Sequence, residues 1–133
     1  MIKQLRFSLA ANILLTMLLC LVVFHLLLLV GVVPFDQVWG GRLNNTVQVR
    51  VFETISLVVT VLVMAVVAMK VGYLRPVLVP WLINAVLWVL VGLFLLNALG
   101  NLASTQAVET FVFTPVTMIA ALLCYRLVIE PNA

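Results

Sequence analysis

Charge is what this sequence has least of. Its 133 residues include seven Lys or Arg, four Asp or Glu and one histidine, so only 8% are charged, against about 25% in a soluble domain. A chain this size with so little charge cannot cover a water-facing surface, and its 66% hydrophobic content makes lipid the expected solvent. The same shortage narrows the chemistry. A single histidine is a poor start for zinc, which takes three or four His, Cys or carboxylate ligands. A haem with two axial histidines would need a symmetric dimer. The two cysteines, Cys20 and Cys124, lie inside apolar runs with no CxxC pattern and read as small buried hydrophobes. No Ser-His-Asp or Cys-His arrangement points to nucleophilic catalysis, so neither cofactor nor metal is expected and an enzyme is the less favoured reading. The net charge of +3 forms no basic patch, which argues against a nucleic-acid partner.

What the sequence has in abundance is long apolar runs. Crossing a hydrocarbon core of roughly 30 Å takes about 20 apolar residues in a helix, and four segments qualify: about 7–33, 47–69, 79–99 and 111–129. The first follows Lys3 and Arg6 as a signal peptide would. It is much longer than a signal h-region of about 7–15 residues and has no A-x-A site after it, so it reads as a helix. Pro34, the polar stretch Phe35 to Gln48, the Val71 to Pro80 link, the Gly100 to Thr110 loop and Pro131 separate or close these runs. With no internal repeat and no loop long enough for a second domain, residues 1–133 form one domain.

The expected fold is all-α, a polytopic up-down-up-down bundle of four transmembrane helices, because short links keep sequence neighbours side by side. Orientation follows from basic residues. With the N-terminus inside, Lys3, Arg6, Lys70, Arg75 and Arg126 are cytoplasmic and Arg42 and Arg50 are outside, which satisfies the positive-inside rule with both termini cytoplasmic. Helix contacts in lipid favour small and weakly polar residues. Such stripes are Ser8-Asn12-Thr16-Cys20, Glu53-Ser56-Thr60, Trp81-Asn84-Trp88-Gly92 and Thr110-Thr114-Thr117-Ala121-Cys124. Pro115 sits early in the fourth helix, as a tolerated first-turn proline or as a kink.

Ionisable groups inside a membrane span are costly and mark candidate sites. His25 near the end of the first helix, Glu53 early in the second, Asn97 and Asn101 closing the third and Glu109 opening the fourth share one end of the expected bundle. Arg42 stands in the loop beside them, after Gly40-Gly41, where backbone and guanidinium can approach an anion. Asn44-Asn45-Thr46 is formally a glycosylation sequon, meaningful only on a eukaryotic secretory route. Two readings stay open. Either Glu53 pairs with Arg42 or Arg50 and His25 with a nearby backbone or asparagine, all structurally, or the cluster binds a small amphipathic ligand or lipid head group, with transport as one use.

The runs Val38-Trp39-Gly40-Gly41-Arg42-Leu43, Val51-Phe52-Glu53-Thr54-Ile55-Ser56-Leu57, Asn97-Ala98-Leu99-Gly100-Asn101 and Thr114-Pro115 resemble a group of small four-helix bacterial membrane proteins to which no activity is assigned. The resemblance covers most of the chain, implies a bacterial inner-membrane address and adds Trp39 to the candidate set. Small multidrug resistance transporters are similar in size but carry an acid in the first helix, which is absent here. Vitamin K epoxide reductases need a CxxC pair, also absent, and the sterol-isomerase and sigma-2 receptor type shares only a helix count. The expected function is ligand binding or transport by Arg42, Glu53, His25, Asn97, Asn101, Glu109 and Trp39 in a homo-oligomer, with a non-catalytic accessory subunit of a membrane complex as the alternative.

Overall fold

A computed structural model describes residues 2–32 and 46–130, and among these there is no strand. After a short 3-10 turn, Ile2–Gln4, come α1 (Phe7–Leu29), α2 (Thr46–Val71), α3 (Pro80–Leu102) and α4 (Thr114–Val128), the last continuing from a π turn at Glu109–Phe113. All four helical stretches are long and apolar enough to cross a membrane. At a rise of about 1.5 Å per residue, 20 residues already span about 30 Å.

Helix ends follow local chemistry that the apolar runs conceal. The first helix stops at Leu29, not at the residue before Pro34. Gly31 takes a left-handed φ of 83°, its N–H donates to Leu28 O, and the Val32 N–H donates to Leu27 O. This pair of bonds is a Schellman cap, which needs a residue without a Cβ penalty at positive φ. The same device ends α2: Gly72 has φ 92°, and Gly72 and Tyr73 donate to Met69 O and Ala68 O. Pro80 opens α3 at its first turn, where a missing N–H costs nothing.

Pro115 explains the π turn. In an α-helix its ring would press on the carbonyl four residues back. Here the preceding turn is widened, and the Thr114 N–H reaches five residues back to Glu109 O. Pro115 itself lies in the first turn of α4, but helix precedes it, so its ring is tolerated because the π turn takes up the distortion just before it.

The largest helix interfaces are α3 with α4 and α1 with α2; α1 with α4 is smaller and α2 with α3 the smallest of the four. The packed core joins Ala10, Ala11, Leu14 and Leu18 of α1 to Val63, Val66 and Val67 of α2. Ile83, Leu87 and Leu90 of α3 and Ala120, Leu123, Cys124 and Leu127 of α4 complete it. These positions occupy one half of the molecule only.

Two of the four weakly polar stripes face inward. Glu53 and Thr60 of α2 and Ala121 and Cys124 of α4 are buried. Ser8, Asn12, Thr16 and Cys20 of α1 are exposed instead, as are Trp81, Trp88 and Gly92 of α3. Of the stripe hydroxyls, Thr110 reaches another helix, at Asn101 O of α3. Thr16, Thr60 and Thr117 donate to the carbonyls of Asn12, Ser56 and Phe113 in their own helices, the local bond open to any helical threonine. Both cysteines are free, but only Cys124 is buried; Cys20 follows the outward face of α1, where a small apolar side chain meets no penalty in lipid.

Candidate functional site

Above Leu18, Val63 and Leu90 the helices stop filling the space between them. A cavity of about 300 Å³ opens there, with walls from all four helical stretches. Each wall changes character in the same direction. On α1 it runs from Leu18 and Leu21 to Phe24 and His25, and on α2 from Val63 through Thr60 and Ser56 to Glu53. On α3 it runs from Leu90 and Phe94 to Asn97 and Asn101. The last wall runs from Thr117 and Val116 to Phe113 and Glu109. The result is one compartment, apolar at its floor and polar at the opposite end, and Phe24 and Phe113 in its walls meet edge to face at 5.0 Å.

The polar end is organised around two buried acids. Glu53 is 1% exposed and Glu109 7%. His25 Nδ1 meets Glu53 Oε2, a contact between α1 and α2. The Ser104 hydroxyl donates to Glu109 Oε2. Thr110 donates to Asn101 O at 3.2 Å and Ser104 O at 3.1 Å, and the Gln106 N–H to Ser104 Oγ at 3.0 Å. The link from α3 into α4 is therefore knotted by its own side chains, and the π turn ahead of Pro115 sits beside Glu109.

The structure brings together five of the expected site residues: His25, Glu53, Asn97, Asn101 and Glu109 all line the cavity. Arg42 and Trp39 lie outside the described residues. So do Pro34, Gly40-Gly41, Asn44-Asn45 and Pro131. His25 and Glu53, for which the sequence allowed separate partners, are partners of each other. Among the described residues no group of three His, Cys, Asp or Glu could hold a metal ion.

A second polar network, at the opposite end, was not anticipated. Lys70 donates to Asn84 Oδ1 at 2.8 Å and to Glu130 O at 3.3 Å. Arg126, 7% exposed, donates to Leu5 O at 2.8 Å and to Glu130 Oε2 at 2.8 Å, and its guanidinium lies 5.9 Å from the Phe7 ring centroid. Tyr73 donates to Asn12 Oδ1 at 2.6 Å. The available signal was basic residues at helix ends, which the positive-inside rule explains without any tertiary partner. No protein-family model, curated protein or solved structure matches the chain.

Proposed function

We propose that this chain is a multi-pass membrane protein whose cavity binds a small amphipathic or lipid-like ligand, polar head toward His25, Glu53, Asn97, Asn101 and Glu109. The observation that carries the reading is the shared polarity gradient of the four walls. Leaving the cavity unfilled, and then placing two acids and a histidine around it, is accounted for by an occupant. An up-down-up-down bundle with both termini cytoplasmic is supported by the basic residues, five at one end and two at the other. The bacterial inner membrane is the address implied by the resemblance to small four-helix proteins.

The test is native mass spectrometry on protein taken gently from its own membrane, beside the isosteric Glu53→Gln variant. The expected result is an added small-molecule mass that the variant loses while staying folded. A bare wild-type protein overturns the binding reading. A second reading, an accessory subunit or homo-oligomer, is favoured by the outward Ser8-Asn12-Thr16-Cys20 face of α1, since weakly polar residues serve helix contacts in lipid. A co-purifying protein chain or a second copy in place of a small molecule would establish it.

A further inference from the structure

The walls of the cavity are not equally closed. Every lining residue from α1 and from Glu109–Thr117 is buried or half-buried. The exposed lining residues all belong to α2 and α3: Val59 at 50% and Leu93 at 48%, with Asn97 also exposed. These are the two neighbouring helices with the smallest interface. The cavity is therefore open sideways, through a slot with Val59 on one side and Leu93 on the other. In a membrane-spanning chain that slot faces acyl chains, not water.

Size and chemistry narrow the occupant. At about 300 Å³ the cavity is at the lower end of the roughly 300–1,000 Å³ of small-molecule sites, enough for a head and the first part of a tail. The head end offers acceptors. Carboxyl oxygens of Glu53 and Glu109 and amide oxygens of Asn97 and Asn101 line that end beside His25.

We infer that the cavity is loaded from within the bilayer, between α2 and α3, by an amphiphile with a hydrogen-bond-donating head, which sits among His25, Glu53, Asn97, Asn101 and Glu109. Its tail leaves across Val59 and Leu93 into the lipid. This rests on the binding reading above and adds the direction of entry and the class of head group.

The test uses the full chain in phosphatidylethanolamine–phosphatidylglycerol vesicles. The probes are a long-chain alcohol with a photoreactive diazirine on its tail and its methyl ether, which cannot donate. The alcohol is expected to label α2 and α3 near Val59 and Leu93, about tenfold above the ether, the value of one hydrogen bond. Val59→Trp and Leu93→Trp should block labelling. Val58→Trp, one residue along and equally outward but not lining the cavity, should leave it unchanged. Alcohol-selective labelling that is lost in His25→Ala yet ignores both rim tryptophans, or falls on α1 and α4, overturns lateral entry and leaves the cavity reading standing. Equal labelling by alcohol and ether in the wild-type protein overturns the head-group assignment even if His25→Ala fails to fold. A long-chain amine labelling in place of the alcohol would keep the donor chemistry and identify the head as cationic.

Discussion

The two halves of this molecule use the same four helices to opposite ends. Below Leu18, Val63 and Leu90 alanines, leucines and valines pack the four helices together, and Arg126 and Lys70 at that end hold backbone and side chains of their neighbours. Arg126 grips Leu5 O and Glu130, and Lys70 grips Asn84 and Glu130 O. These contacts tie the start of the chain, the end of α2, the start of α3 and the end of α4 into one staple. Above the same three residues, charge surrounds a cavity instead of closing one. Glu53 is more deeply buried than Arg126, yet its partner His25 lines the same open volume. Burial alone therefore does not separate a structural charge from a candidate functional one. What separates them is whether the charge's surroundings are filled.

That contrast can be broken by mutation. The largest effect is expected for Arg126→Ala, which removes two hydrogen bonds to a buried guanidinium and strands Leu5 O. Thermal unfolding in detergent should show a loss of about 2–3 kcal/mol, whereas Glu53→Gln, able to keep a hydrogen bond to His25, should lose less than about 1 kcal/mol. Equal losses would mean that the hollow half is held by its charges just as the packed half is.

A middle-sized effect of opposite sign is expected from filling the cavity. Thr117→Leu adds apolar volume to its wall and should raise stability by about 1 kcal/mol, as cavity-filling changes commonly do, while displacing any retained small molecule in native mass spectrometry. Destabilisation would show that the site is already close-packed. The smallest effect belongs to Pro115→Ala. Stability should change by no more than about 0.5 kcal/mol, because the π turn already accommodates the proline ring. The relaxed turn should nonetheless shift Glu109, read as weaker retention of the same small molecule. An unchanged retention would reduce the π turn to a local accommodation of the ring.

Much of the fold was legible because lipid imposes a simple rule: a spanning segment must be helical and apolar, and four such segments stand out of the sequence. Helix ends were less legible. The apolar run of α1 continues past Leu29, and only the left-handed Gly31 and its two backbone bonds stop the helix there. The site was legible as to residue types and depth. His25, Glu53, Asn97, Asn101 and Glu109 were brought to one end by counting residues along helices, and the structure gathers them around one cavity. The His25–Glu53 partnership was not legible, since depth along a helix says nothing about rotation around it. The same blindness put the Ser8-Asn12-Thr16-Cys20 stripe against a neighbouring helix when it faces outward.

By itself, then, the sequence determined that there are four apolar helices and that the ionisable residues gather at their ends, because both follow from the cost of placing backbone and charge in hydrocarbon. Only the tertiary structure decided which faces of those helices meet. That choice closed one half with Leu14, Leu87 and Leu127, fully buried, and left the other half open between α2 and α3. The physical reason is that lipid rewards every apolar face alike, so the rotation of each helix is set by side-chain fit among neighbours.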